Sequence, residues 1–352
     1  MPTRRTLIFL LIIFALSITG ATFYLTQSTP STPDPADPKT AADYRHTYLP
    51  MASDGSTNQN PPVDPKYIWF SDYKNSNVKA VDRSGQIIWE QHFSFASANE
   101  EELSNIEFVT ITPHGNPMVT TANGMLIQEV DRATKKVIWK YGFLNHQYCD
   151  QCLHQPKKAY LFNDNEVLVT DANSRRAIII DKNTNQVIWE YGVKNIMKDA
   201  PGYLKGNRFA MPLDNQGANI LITDTLTKRI MVVDRATKNI TWQWEAPNSK
   251  WLQNAYPDSD GSFIAEDHLE NKVFKVSRDH QIVWEISTLA DGTALKYPTD
   301  AIALPNGNIL IAEAGRGRII EVNPQTKQIV WEYSHAGFVT SIDVEYEKPN
   351  SN

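Results

Sequence analysis

At 352 residues, 41% hydrophobic and 21% charged, the chain can bury a large core, and a single all-β domain is permitted at this size. Its net charge of −6 leaves no basic footprint for nucleic acid, and too little acidity for a polyanionic disordered chain.

The first element is an apolar one. Arg4 and Arg5 precede an uncharged run from Leu7 to Leu25, the pattern of an export signal. The run approaches the roughly 20 residues that span a bilayer as a helix. Residues 1–25 are therefore expected to be either an uncleaved helical anchor or a signal peptide cut near Thr19-Gly20-Ala21. Both outcomes keep the arginines cytoplasmic and send the rest across, so the chain is expected at the cell membrane, facing outward, or secreted. Residues 26–65 are rich in Pro, Ser, Thr and Asp. Such a composition buries too little apolar surface to order itself and reads as a spacer.

From there to residue 347 one pattern recurs six times: DRSGQIIWE from Asp82, DRATKKVIWKYG from Asp131, DKNTNQVIWEYG from Asp181, DRATKNITWQW from Asp234, SRDHQIVWE from Ser277 and NPQTKQIVWEY from Asn323. The tryptophans are Trp89, Trp139, Trp189, Trp242, Trp284 and Trp331, spaced by 50, 50, 53, 42 and 47 residues. That period fits one four-stranded propeller blade and is too long for the common helical solenoids. The last unit shows the blade plainly. Runs at 300–304, 309–312, 318–322 and 328–333 are short, β-prone and separated by Asn/Gly/Pro turns. The first unit has only three such runs, at 67–70, 78–81 and 87–90, while Phe338–Tyr346 follows the sixth tryptophan. The prediction is an all-β, six-bladed β-propeller over residues 66–347, its first blade closed by the C-terminal strand, preceded by the apolar helix and followed by a short tail at 348–352. Closure of this kind removes the exposed edges of an open array.

Each repeated indole can bury about 150–250 Å² between neighbouring sheets. The Asp and Thr of the preceding turn, as in Asp131 and Thr134, suit side-chain-to-backbone turn bonds. The Asp-x-x-Thr-x-x-x-x-Trp pattern resembles the tryptophan-docking motif of quinoprotein-like (PQQ-like) propeller repeats, and the stretch from Leu304 to Val322 is similar to arylsulfotransferase-like and NHL-like repeats. The resemblance covers residues 67–346 and implies architecture more than activity. Two departures stand out. The Gly usual after the motif's Thr is Lys135, Asn185, Lys238 or Lys327 here, and six units are too few for the eight-bladed quinone-dependent dehydrogenases, so PQQ is not expected.

Candidate chemistry falls on the loop face around the central channel. An acidic or small polar residue ends the second strand of each unit: Asp72, Thr121, Asp171, Asp224, Glu266 and Glu313. These carboxylates can hold loop amides. Alternatively, Asp171, Asp224, Glu266 and Glu313 converge with Asn254 and Asp300 as a ligand site, with Ca²⁺ one candidate, since that ion takes about six to eight oxygens. Six-bladed lactonase-like enzymes are similar in placing a metal there. His154, with Arg175 or Arg176 beside it and Arg316 as an anion contact, is the nearest imitation of the arylsulfotransferase-like catalytic histidine and arginine; His92, His268 and His335 are further histidines near the loops. Cys149 and Cys152, the only cysteines, are expected to form a disulfide outside the cytoplasm, with a zinc site sharing His146 and His154 as the other option. Asp258-Ser-Asp260 starts like a calcium loop but lacks its later ligands.

The sequence thus leads to a membrane-tethered, extracytoplasmic propeller that binds a cell-surface protein, peptide or glycan. The alternative is an arylsulfotransferase-like transferase or a metal-dependent hydrolase acting at the channel mouth, and whether the chain is an enzyme stays open.

Overall fold

The computed structural model describes residues 64–93, 106–121, 125–143, 149, 151–246 and 248–347. The expected N-terminal helix, nearly all of the spacer and the tail lie outside them. Among the described residues no helix is long and apolar enough to cross a membrane.

Twenty-four strands among the described residues form six four-stranded antiparallel sheets. The sixth repeat yields strands Pro298–Ala303, Ile309–Glu313, Arg318–Val322 and Ile329–Tyr333, close to the runs read from the sequence. Closure is also as predicted. The C-terminal strand Val339–Glu345 pairs antiparallel with Tyr67–Asp72 and becomes the innermost strand of blade one. The first strand of every other blade is likewise innermost: Ile106–Ile111, Pro156–Phe162, Asn207–Pro212, Leu252–Pro257 and Pro298–Ala303.

Burial follows from that layering. The inner strand of blade three is buried at every position, because neighbouring blades cover both of its faces. The outer strand Gln186–Gly192 instead alternates, since one of its faces meets water. One irregularity recurs in all six outer strands. Their register slips just before the tryptophan, as at Ala80/Val81 opposite Ile87 and Trp89, and at Glu129/Val130 opposite Val137 and Trp139. Such a bulge inserts an unpaired residue. It explains the consecutive exposed aliphatics Val137 and Ile138, and Ile282 and Val283, in strands whose sequence breaks alternation.

The tryptophans join each blade to the next. The indole N–H of Trp89 donates to the carbonyl of Arg132 at 2.9 Å, that of Trp189 to Arg235 at 2.8 Å, and that of Trp242 to Arg278 at 2.9 Å. Trp331 of the last blade donates to Arg83 of the first at 2.8 Å, which closes the ring of bonds. The basic residue of the same turn answers in the other direction: Arg132 pairs with Glu345, Lys182 with Glu129, and Arg235 with Glu166. The Asp–Thr turns form as expected, with Thr134 and Thr184 donating backbone and hydroxyl groups to Asp131 and Asp181. These bonds hold both carboxyls below the usual carboxylate range. The family's glycine position keeps its backbone conformation despite the change of residue. Lys135, Asn185, Lys238 and Lys327 all have φ between 54° and 59°, the left-handed region that glycine normally supplies. Asn185 uses its side chain there, accepting the indole N–H of Trp139 at 2.9 Å.

Candidate functional site at the channel mouth

A second set of bulges creates the site. Where each inner strand meets its neighbour, the register slips near its start: between Ile106 and Phe108, Pro156 and Ala159, Asn207 and Phe209, Leu252 and Ala255, and Pro298 and Asp300, and opposite Ser71 and Asp72 in blade one. At each bulge the inner strand holds one residue more than its partner, and the bulge re-aims a side chain. Its second residues are Glu107, Lys157, Arg208, Gln253, Thr299 and Thr340, one per blade. All six line a single cavity of about 290 Å³ at the channel mouth. Tyr73, Gln155, His268, Tyr297 and Phe338, on loops of the same face, and Phe108, the next residue of the blade-two strand, complete its wall.

The two halves of this cup differ. On one side aromatic rings follow one another: Tyr73 meets Phe338 at 6.2 Å, Phe338 meets Tyr297 at 6.0 Å, and Tyr297 meets His268 at 4.5 Å. Behind His268, Trp251 continues the arc at 5.8 Å and carries the Arg208 guanidinium at 5.3 Å from its ring centre. The other side is charged. Lys157 is buried and paired with Glu107. Burial nevertheless draws its ammonium below the usual lysine range, with Glu107 opposing and Arg208 adding to the effect. His268 is pushed down to about 4 by burial and then by Arg208, so it is neutral at physiological pH. Its tautomer follows from its neighbours. The Gln253 amide donates to the Thr299 carbonyl at 3.1 Å, which turns Oε1 towards His268 Nδ1 at 2.6 Å. Nδ1 therefore carries the proton, and Nε2 is left as an acceptor.

Lys158, the residue after Lys157, is fully buried and ties opposite blades together. From the inner strand of blade three its ammonium crosses the channel to donate to Asp300 of blade six at 2.9 Å, to the Ile342 carbonyl of blade one at 3.2 Å, and to the Tyr256 hydroxyl of blade five. Asp300 also accepts from the Ile342 backbone N–H at 3.0 Å and from the Asn254 amide at 3.0 Å, while Glu266 accepts from the Asn254 backbone N–H at 3.0 Å. Thus the structure brings together Asn254, Glu266 and Asp300, all fully buried. An ammonium, however, stands where a cation would, so this oxygen set does not fit a calcium ion. No group of three or more His, Cys, Asp or Glu side chains suited to a metal occurs among the described residues. Burial, and then the charge of Asp300, raises the Glu266 carboxyl well above its ordinary range. Neither Glu266 Oε2 nor Asn254 Oδ1 has a partner among the described residues. A protonated Glu266 turns one of these two orphaned acceptors into a donor.

Asp343, on the closing strand, shares this interior. It accepts from the backbone N–H groups of Ile111 and Val344 at 2.7 and 2.8 Å. Burial raises its carboxyl to about 6, with Lys158 opposing. A raised acid binds its proton more tightly in the fold than in the unfolded chain. Its stabilising effect is therefore complete below about pH 4 and is lost as pH rises through 6. We expect Asp343→Asn to remove that loss. Urea titrations from pH 4 to pH 7 should show the wild type losing about 3 kcal/mol relative to the variant; parallel curves would show that Asp343 does not titrate there.

The remaining expected residues go elsewhere. Asp171 holds the His154 backbone N–H at 2.7 Å and Arg176 at 2.8 Å. Asp224 holds the backbone of Lys205 and Gly206 at 3.0 and 2.7 Å. Glu313 accepts from the backbone N–H of Lys296 at 2.6 Å, from Arg318 at 2.6 Å and from Arg316. These carboxylates fasten the loops that lead into the inner strands of blades three, four and six. In blade five that role belongs to Asp267, which accepts from the Ser249 hydroxyl at 2.6 Å and the Lys250 N–H at 2.7 Å. The expected equivalence of Glu266 is thereby corrected: the strand runs one residue further, to Asp267, opposite Leu252. Consecutive strand side chains face opposite ways, so one residue changes Glu266 from loop holder to channel residue. His154, Arg175 and Arg316 are not in the cup. His92 meets Asn75 on an exposed strand end, and His335 stands edge-on to Tyr333. Cys149 and Cys152 form a disulfide, which leaves no thiolate for zinc; His146 lies outside the described residues. Lys275 pairs with both Asp258 and Asp260, so the calcium-like turn is an ordinary charged hairpin.

With this geometry in hand, similarity to known proteins is informative about the scaffold. Residues 74–207 match the family described as outer membrane protein assembly factor BamB. No curated protein matches the chain. Among solved structures, a protein of unknown function from Bacteroides caccae is 12% identical with a TM-score of 0.57, over 79% of this chain and 98% of that one. Virginiamycin B lyase from Staphylococcus aureus is 15% identical with a TM-score of 0.52, over 76% and 80%. The WD40 propeller domain of Doa1 is 12% identical with a TM-score of 0.50, over 82% and 88%. At these identities the likeness is one of fold. The chain is a six-bladed β-propeller.

Proposed function

We propose that this chain is an extracytoplasmic binding propeller, tethered through its N-terminal apolar segment, that takes a compact group of a cell-surface protein, peptide or glycan into the cup. The observation that carries this reading is the set of inner-strand bulges, which turn one side chain from each of six blades into a single cavity. A pocket in which a few polar groups converge beside aromatic rings is a usual form of ligand site. The disulfide supports an oxidising compartment. The likeness of residues 74–207 to a family described as an outer membrane protein assembly factor supports a place beside a membrane. The converging channel residues are tied to one another and to Lys158, which favours binding over the transferase or metal-hydrolase alternative. A photo-crosslinking side chain at position 73, on the rim of the cup, should give discrete adducts in cells. Thr299→Trp, which fills the cup, should remove them, and the same crosslinker at position 138 on the outer strand should give none. Equal adducts from both positions, or adducts unaffected by Thr299→Trp, would overturn the reading.

A further inference from the structure

The cup has a charge imbalance that its own residues do not resolve. Lys157 is neutralised by Glu107. Arg208 has no carboxylate or carbonyl partner among the described residues; its one neighbour of note is the Trp251 ring beneath it. It is half-buried at the wall of the cavity and close enough to lower the affinity of both Lys157 and His268 for protons. An arginine offers a planar fork of donors that matches a carboxylate, and a guanidinium already resting over an indole loses less freedom on engaging one. Beside it run the rings of His268, Tyr297, Phe338 and Tyr73. These accept a flat apolar group edge-on or offset. At about 290 Å³ the cavity admits one such group and little more.

We infer that the cup is a seat for a compact aromatic carboxylate, whose anionic end pairs with Arg208 and whose ring lies along the Tyr297–Phe338–Tyr73 arc. This rests on the binding reading above and names the ligand chemistry of the same site. Such a group can come from a free aryl acid or from the C-terminus of a peptide ending in an aromatic residue. The neutral His268 offers an acceptor at Nε2, suited to a hydroxyl or N–H on the ligand and not to the carboxylate itself, which is also an acceptor.

The test uses the full chain in detergent and fluorine NMR titrations with two matched pairs of probes: 4-fluorophenylacetate against 4-fluorophenylacetamide, and glycyl-4-fluorophenylalanine against its C-terminal amide. Saturable binding of at least one acid is expected, with its amide weaker by about tenfold or more, as loss of a charged hydrogen bond predicts. Arg208→Gln should bring that acid to the level of its amide without changing the amide, and Arg208→Lys should fall between. Arg208 is partly exposed, and an unchanged thermal melt of each variant will separate lost binding from lost folding. Preference for the free aryl acid or for the dipeptide identifies the source of the carboxylate, and both support the proposal. If acids and amides bind alike, or if Arg208→Gln leaves acid binding unchanged, the anion seat is wrong while the binding propeller stands. If no probe binds, the proposal falls, and the crosslinking experiment decides separately whether the binding reading falls with it.

Discussion

Ending the chain after Phe338 should abolish cooperative folding. The lost strand, Val339–Glu345, is the innermost strand of blade one and is buried except at its last residue. Val339, Ile342 and Val344, with Tyr346 just beyond, belong to the largest apolar core. Each buried side chain of this kind contributes about 1.5–3 kcal/mol, so the group approaches the whole stability of about 5–15 kcal/mol expected for a folded domain. The damage does not stop at blade one. Glu345 accepts from the Trp69 indole at 2.9 Å and pairs with Arg132 of blade two, while the Val339 carbonyl accepts from Thr299 of blade six at 2.8 Å. Removing the strand would also bare the unpaired edge of Tyr67–Asp72, an invitation to aggregation. Near-ultraviolet circular dichroism and urea unfolding of the truncated chain should show no native transition. A truncated protein that unfolds cooperatively near the wild-type midpoint would mean that blade one closes in some other way.

Asp300→Ala is expected to cost about 3–5 kcal/mol, since removing one partner of a buried ion pair leaves the other charge uncompensated. Here the stranded group is Lys158, and the change also takes acceptors from the Ile342 backbone N–H and the Asn254 amide. Lys158→Met on its own leaves Asp300 with donors still in place, so its cost should be smaller. In the double variant Lys158→Met/Asp300→Ala the unpaired ammonium is gone, and much of the loss should be recovered. Urea midpoints of the two single variants and the double variant, read as a cycle, measure this coupling. Strict additivity would show that Lys158 and Asp300 do not depend on one another.

Much of the fold was legible because a propeller repeats its local physics. The tryptophan spacing, the Asp–Thr turns and the deficit of one strand in the first unit each reflect interactions within a blade or between adjacent ones. The disulfide was legible for the same local reason, two cysteines three residues apart and no others in the chain. The cup was harder to read. Glu107, Lys157, Arg208 and Gln253 look like ordinary polar residues at strand starts, and nothing in periodicity marks a bulge. Aligning the second residue of all six inner strands would have exposed the column, but the strand ends had first to be placed to within one residue. Blade five shows the cost of a single step, since Glu266 and Asp267 lie on opposite faces of one strand. Asn254, Glu266 and Asp300 do lie together, joined by hydrogen bonds. That Lys158 would reach them from the far side of the channel could not be read from any local pattern.

The sequence by itself determined six blades, their turns and the terminal closure, because each follows from short-range patterns of burial and turn chemistry. The tertiary structure alone decided which side chains face the channel. That choice depends on bulges that shift strand register and on long side chains that meet across the axis of the ring, and both arise only when the blades close on one another.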